Sequence, residues 1–344
     1  MGNPSDRGRF SSEMLRLRAS GHGAAQAGGE EYERAEKAMN KFVIRQSLLL
    51  LLAALIWGVA FVAQSVGMDY VEPFTFNAVR SLVGGVTLLP CIALLSHVRR
   101  SGEDKSSRPE GDRRSLWIAG ITCGVLLCIA TNFQQIGIQY TTVGKSGFIT
   151  AMYIVIVPIL GLFIGKKAGI RVWCAVALAV AGLYFLCMTG GGFTLQKGDV
   201  LTLLCAFTFS FHILTVDHFA ERVDGVKLSC IQFFVSGTLS AIAMFVWEEP
   251  HLEQILAAWL PILYAGVLSC GVAYTLQIIG QRGMNPAVAS LLLSMESVIS
   301  VLAGWVLLKQ KLTGRELAGC VLMFLAIILV QLPQKSPQVG EKMN

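Results

Sequence analysis

"SLLLSMESVISVLAG", Ser290 to Gly304, sets one carboxylate, Glu296, inside a run that otherwise has the composition of a bilayer interior. How this run is read decides the fold. A hydrocarbon core of about 30 Å takes about 20 apolar residues as helix, because every backbone polar group must be bonded within the segment. The run around Glu296 reaches that length over 286–308, and ten windows along the chain do so: approximately 46–67, 73–96, 116–138, 144–165, 170–189, 199–219, 228–247, 257–280, 286–308 and 315–332. The whole chain, 344 residues, is 54% hydrophobic and only 15% charged, against about 25% charged for a soluble domain. These features describe an all-α integral membrane protein with ten transmembrane helices.

The cations are placed as a membrane protein places them. With the amino terminus inside, the cytoplasmic segments carry 22 of the 28 Lys and Arg residues: eight in the tail, six from Arg99 to Arg114, then Lys166, Lys167, Arg171, Arg222, Lys227, Arg282, Lys335 and Lys342. The outer side carries Lys145, Lys197, Lys309, Lys311 and Arg315. The excess puts both termini in the cytoplasm. Because the net charge of +6 sits in tails and loops, it argues against a nucleic-acid partner. The nine cysteines fall singly in apolar runs, with no disulfide framework, metal site or cofactor motif, and read as small core residues. Residues 1–45 are polar, Gly-rich and of mixed charge and read as a disordered cytoplasmic tail, with a second tail at 333–344. The first window lacks the small-residue cleavage site of a secretory signal and is retained as a helix. Met39 opens "MNKFVIRQSLLLLL", a basic lead into that window, so a start at Met39 is an alternative to Met1.

The chain also resembles itself at an offset of about 143 to 152 residues. "ALIWGVAFVA" at 54 aligns with "AFTFSFHILT" at 206, "CGV" at 123 with "CGV" at 270, and "KKAGIRVWCA" at 166 with "QKLTGRELAG" at 310. Five spans are followed by five more, giving repeats at 46–189 and 190–332. An odd number of spans per unit makes the second copy insert upside down, so the basic turn at 309–315 is the outward copy of the cytoplasmic turn at 166–171. Such inverted repeats open alternately to either side around a midplane site.

"IWGVAFVAQSVGMDYVEPFTFNAVR" (56–80), "GKSGFITAMYIVIVPILG" (144–161), "FSFHILTVDHFAER" (209–222) and the run from Ala273 to Gly319 resemble the EamA-type members of the drug/metabolite transporter superfamily, over about 44–332. The resemblance implies two five-helix repeats, a bacterial plasma (inner) membrane and movement of small metabolites or drugs, often outward. Two departures stand out. The usual Leu-Glu-Pro of the ninth helix reads Met295-Glu296-Ser297, and the first helix has no acid where the small multidrug-resistance branch carries its coupling glutamate.

Three ionisable residues lie deep in the spans: Arg80, His212 and Glu296. A charge at a helix centre costs about 2.5 to 3.5 kcal/mol on insertion scales, so such groups face a bundle interior or water and find partners. Glu296 lies ten residues into its helix, about 15 Å along it at 1.5 Å per residue. Ser300, Ala303 and Gly304 give its face small residues suited to close packing. It is read as a proton or substrate-amine site, or else as a tie between helices. Arg80 is read as a bidentate contact for a substrate anion, or as a clamp that pairs with Glu296 or snorkels outward. His212 is a proton shuttle or a neutral bonded imidazole. Asp217 and His218, at the cytoplasmic end, read as solvated. Trp57, Gln64, Asn77, Asn132, Gln135, Tyr153, Tyr274 and Gln277 suit the lining of a cavity for a small amphipathic solute, with helix-to-helix bonding as the alternative for each. Gly161 and Gly165 in "GLFIG" read as a packing face.

Two motifs fail. "VGKSG" at 143–147 would need Gly where Gln139 stands, and a strand before it, to be a phosphate loop, so transport would be driven by gradients. Gly144, Lys145, Ser146 and Gly147 match the GxSG of rhomboid-like proteases, with His212 as base, but the topology puts Ser146 at the outer mouth and His212 toward the inner half. A passive channel is the other alternative, and the chain has no charge ring or filter sequence to support one. The expected function is therefore a secondary transporter rather than an enzyme. It exports a small organic metabolite, amino acid or drug by alternating access, with protons as a coupling ion. Its expected partners are the lipid bilayer and the solute, and a homo-oligomer is compatible with the sequence.

Overall fold

The computed structural model describes residues 27–101, 113–140, 143–166, 168–187, 197–307 and 313–331, and among these every regular element is helical. Helix α1 runs Ala27–Gly67, α2 Pro73–Ser101, α3 Arg113–Gln139, α4 Val143–Thr150, α5 Tyr153–Phe163, α6 Ile170–Cys187, α7 Lys197–Phe219 and α8 Gly225–Trp247. After a short α9, Leu252–Ala257, comes one continuous apolar rod. It is made of α10, Trp259–Leu263, a π-helical stretch, Tyr264–Ala273, and α11, Tyr274–Gly280. Helices α12, Pro286–Leu293, α13, Met295–Leu307, and α14, Gly314–Gln331, complete the chain.

Seven helical segments among the described residues are long and apolar enough to cross a membrane, namely Asn40–Gly67, Pro73–His97, Arg113–Gln139, Lys197–Phe219, Gly225–Trp247, Trp259–Gly280 and Pro286–Leu307. Tyr153–Phe163 and Ile170–Phe185 are apolar but shorter. The window expected at 144–165 is divided into α4 and α5, which is why it does not count as one long helix.

Helix starts follow capping chemistry. Asn285 accepts from the Ala287 amide at 2.9 Å with Pro286 at the first helical position, and Asp224 accepts from Val226 and Lys227 at 3.0 and 3.2 Å. The start of α2 is capped from another helix. Glu248, just past α8, accepts from the Phe74 and Thr75 amides, both at 2.7 Å, and Phe74 packs on Trp247 with ring centroids 5.6 Å apart.

Several expectations change. Residues 27–45 continue α1 rather than forming a disordered tail, because the stretch is rich in Glu, Ala and Lys, strong helix formers. Residues 1–26 and 332–344, Lys309 and Lys311, and the Lys145 side chain lie outside the description. Gly161 and Gly165 do not form a packing face: a Cβ on Gly165 would meet nothing within 4 Å. Gly165 instead has φ 77° and closes α5, with the Lys166 amide donating to the Gly161 carbonyl at 2.8 Å. Cys91 and Cys174 are exposed, whereas Cys123, Cys205, Cys230, Cys270 and Cys320 are buried as expected.

Helix α2 packs along α8, α3 along α7 and α8, α6 along α14, and α1 along α13 and the Trp259–Gly280 rod. The rod also packs on α2, α5 on α7, and α12 on α5. Glycines set the closest approaches. A Cβ on Gly124 would lie 2.6 Å from Val235 Cβ, one on Gly84 2.5 Å from Cys270 Cβ, and one on Gly58 2.4 Å from Ile299 Cβ. These contacts draw α1, α2, α3, α8, the rod and α13 around a shared interior.

Candidate functional site

The site begins at two interruptions. Helix α4 stops at Thr150 and α5 starts at Tyr153, and α12 stops at Leu293 with α13 starting at Met295. Both joints tighten in the same way. The Ile154 amide donates to the Ala151 carbonyl at 3.0 Å, and Ser297 to Ser294 at 3.1 Å, each reaching back three residues rather than four. Tyr153 and Glu296 therefore stand in the first turn of the second half-helices, and the amino-terminal end of α13 favours a carboxylate. The two meet: Tyr153 Oη donates to Glu296 Oε1 at 3.0 Å, with both residues buried.

A cavity opens beside this pair. Its walls are Trp57, Phe61 and Gln64 of α1, Arg80 of α2, Gln134 of α3, Tyr153 of α5, Phe209 and Ile213 of α7, Ser269 of the π-helical stretch, Tyr274 and Gln277 of α11, Leu293 of α12 and Glu296 of α13. The space open to water is about 40 Å³, room for roughly three waters. Trp57 and Tyr274 meet edge to face with centroids 4.6 Å apart. The ten-residue π-helical stretch re-aims the face of its rod, bringing Ser269 and Tyr274 to the cavity.

Seven of the eleven nominated residues line this space: Glu296, Arg80, Trp57, Gln64, Tyr153, Tyr274 and Gln277. Arg80 does not pair with Glu296. It is 4% exposed, its guanidinium carbon lies 5.5 Å from the Phe76 ring centroid, and its Nε has no hydrogen-bond partner. His212, Asn132 and Gln135 stand behind the wall. His212 Nε2 lies 3.1 Å from Gln232 Oε1, and its ring meets the edge of Tyr274 at 6.1 Å. Asn132 joins a clamp: Asn77 Nδ2 donates to Asn132 Oδ1 at 2.9 Å, and Asn132 Nδ2 donates to Ser240 Oγ at 2.9 Å, tying α2, α3 and α8. Gln135 Nε2 donates to the Gln64 carbonyl at 3.3 Å.

Ser146 and His212 form no dyad; Ser146 Oγ is buried with no hydrogen-bond partner, while His212 turns Nε2 to Gln232. Asp217 is not solvated, since its side chain is 7% exposed and accepts from Lys166 Nζ at 2.9 Å. Among the described residues no cluster of three His, Cys, Asp or Glu could hold a metal.

Phe61, Gln134, Phe209, Ile213, Ser269 and Leu293 line the cavity without having been singled out from sequence. Four of them, Phe61, Gln134, Phe209 and Ile213, stand at the internal offset. A shift of 152 residues carries Trp57 to Phe209 and Phe61 to Ile213, and a shift of 143 carries Gln134 to Gln277, as it carries Tyr153 to Glu296.

The model of the EamA-like transporter family matches the chain twice, over residues 45–188 and 196–332. The chain is an EamA-like transporter. An uncharacterized transporter of Archaeoglobus fulgidus is 30% identical over 284 residues, covering 82% of this chain and 84% of that one. The uncharacterized inner membrane transporter YedA of Escherichia coli is 25% identical over 287 residues, covering 81% and 88%. A solved crystal structure superposes with a TM-score of 0.67 at 18% identity, covering 83% of this chain and 96% of that one, a likeness of fold. This EamA-like chain is thus a multi-pass membrane protein of a transporter family, belonging to the drug/metabolite transporter superfamily, and its family relations are those of a transporter rather than an enzyme.

Proposed function

We propose that the chain is a secondary active transporter of ten spans, built as two inverted five-helix repeats, that exports a small organic solute by alternating access with a proton as coupling ion. Both termini lie in the cytoplasm, the membrane is the plasma (inner) membrane, and the cavity beside Tyr153 and Glu296 is the solute site. One observation carries this reading: four pairs of lining residues stand at the repeat offsets, Trp57 with Phe209, Phe61 with Ile213, Gln134 with Gln277 and Tyr153 with Glu296. A site on the pseudo-two-fold axis between inverted repeats is where alternating access needs it.

Packing supports the same reading. The contact of α3 with α7 corresponds to that of the Trp259–Gly280 rod with α1, and the contact of α1 with α13 to that of α7 with α5. Glycine contacts recur in register. Gly137 approaches Thr202 and the Gly198 carbonyl, and 143 residues on Gly280 approaches Leu50 and the Gln46 carbonyl, 152 residues before them. Gly85 approaches Phe234, and Gly237 approaches Leu82, again 152 residues apart. The repeat halves are 46–189 and 190–332. With room for only a few waters, the cavity must widen to load a solute, and helices that meet through glycine can separate without unlocking side chains.

The test is counterflow in proteoliposomes holding the full chain. Labelled solute should accumulate against an unlabelled pool, with a rate that saturates; a flux linear in concentration and without counterflow would make the protein a pore. Glu296→Gln should remove the pH dependence of transport. Transport by that variant at full rate with an unchanged pH profile would end the coupling role.

A further inference from the structure

The cavity holds both signs of charge without an ion pair. Arg80 is 4% exposed, lines the space, and leaves Nε unbonded, with no described carboxylate in ion-pairing contact. Glu296 is 7% exposed and lines the same space, with Tyr153 bonded to Oε1 only. Neither charge has a charged twin in the other half of the chain. The residue 152 positions after Arg80 is Gln232, bonded to His212, and the residue 143 before Glu296 is Tyr153.

A guanidinium cannot be discharged in a protein, so the Arg80 charge is permanent. An isolated buried charge is costly and is offset only by an opposite one nearby. With Glu296 ionised, the empty cavity sums to zero. With Glu296 protonated, it holds one uncompensated positive charge, the state with most to gain from an anion. The other titratable groups facing Glu296 are Tyr153 of α5, Tyr274 of α11 and Cys205 of α7. All three are ordinarily neutral at pH 7, and α1 contributes only Trp57, Phe61 and Gln64.

Resting on the transporter reading above, we propose that the solute is a small organic acid with one anionic group held by Arg80, and that it crosses together with one proton carried on Glu296, so that export runs down the acid's own outward gradient and takes the proton with it. Loaded, the cavity holds the Arg80 cation, the solute anion and a neutral Glu296; empty, it holds the Arg80 cation and the Glu296 anion. Both states move no net charge. The two mixed states, anion with ionised Glu296 and protonated Glu296 without anion, each bury one uncompensated charge and are suppressed, which couples the flows one to one. An amine on Glu296 would stand beside Arg80 and leave the cavity cationic. The apolar walls, Trp57, Phe61, Phe209 and Leu293, suit an apolar or aromatic body on the acid.

The test uses the purified full chain in lipid nanodiscs and three probes of one skeleton: benzenesulfonate, benzyltrimethylammonium and phenylalanine. Titration calorimetry in two buffers of different ionisation enthalpy counts the protons exchanged on binding. Benzenesulfonate should bind best and take up close to one proton on the alkaline side of the Glu296 titration, with affinity falling ~tenfold per pH unit there. In Glu296→Gln, benzenesulfonate should bind without proton uptake and without pH dependence. Arg80→Gln, which copies the residue at 232, should weaken it ~tenfold or more. If that variant does not fold, Arg80→Lys should bind more weakly than the native protein with proton uptake retained. Preference for the cation or the zwitterion, native binding of benzenesulfonate without proton uptake, or no binding of any probe by protein active in counterflow would each overturn the inference and leave the transporter reading standing. Proton-linked benzenesulfonate binding without counterflow of any solute would do the reverse.

Discussion

Tyr153 and Glu296, 143 residues apart and at equivalent positions of the proposed inverted repeat, are hydrogen bonded to each other at 3.0 Å. Positions exchanged by a two-fold can touch only beside its axis, so this bond marks where the axis would pass. The two halves meet there with different chemistry, a phenol against a carboxyl group. A hydrogen bond to a charged acceptor contributes roughly 1.5–3 kcal/mol, and one to a neutral acceptor roughly 0.5–1.5 kcal/mol. Tyr153→Phe should therefore lower thermal stability more in the native background than in Glu296→Gln. Unfolding midpoints of the four proteins in one detergent read this directly. Equal losses in both backgrounds would mean that Glu296 is neutral when Tyr153 donates to it.

The glycine contacts predict a graded series. Alanine at Gly124 would put its Cβ 2.6 Å from Val235 Cβ and 2.9 Å from the Gln232 carbonyl; at Gly266 it would stand 2.7 Å from Val83 Cγ1 and 3.0 Å from the Arg80 carbonyl. Each forces helices apart and should cost about 1–3 kcal/mol. Gly314→Ala meets nothing within 4 Å and should be neutral or slightly stabilising. Melting midpoints of the three variants check the order, and a Gly314→Ala loss as large as the others would show that the contacts are not the cause.

Seven of the ten expected spans were legible because hydropathy alone requires them, and Glu296, Arg80 and Tyr153 because a polar group in such a run has to face something. Rotation about the helix axis was less legible. Successive residues differ by about 100°, and that one step puts Gln134 rather than Gln135 at the cavity. The joints at Ala151–Met152 and Ser294 carry neither glycine nor proline, so no local signal announced them. Under the proposed repeat, the contacts of Gly124 with Val235 and of Gly266 with Val83 would correspond at an offset of 142, against the 147 of the repeated "CGV", and the π-helical stretch lies between the two registers. In the amino-terminal tail, counting apolar residues overlooked helix propensity, and 27–45 form helix.

Asn132 separates cavity from clamp. It bonds Asn77 and Ser240 but does not line the solute space. Asn132→Ala takes one of two partners from Asn77 Nδ2 on α2 and from Ser240 Oγ on α8, and the two lost bonds should cost about 1–3 kcal/mol. Solute affinity, once a solute is in hand, should change by less than about twofold, since additivity holds between sites without shared partners. Gln277→Ala, in the wall itself, should show the opposite pattern, with affinity lost and melting little changed. A binding isotherm and a melting curve for each variant decide it.

The two glycine seams differ in one side chain, and that difference predicts an asymmetry in opening. Where Gly280 meets α1, Gln46 Nε2 donates to the Ile279 and Arg282 carbonyls at the end of α11, both at 2.9 Å. Where Gly137 meets α7, the position 152 residues after Gln46 is Gly198, which has no side chain to do the same. The seam at Gly280 is thus bolted by Gln46, and the seam at Gly137 has instead the Lys197 ammonium 5.1 Å from the Tyr140 ring centroid. Gln46→Ala removes two bonds worth about 1 kcal/mol each, so the amides of residues 277–284 should exchange with deuterium up to ~30-fold faster if both bonds open with the seam. Exchange at 133–139, in the other seam, should stay at the native rate. Equal acceleration at both seams would mean that the two open together, which alternating access does not allow.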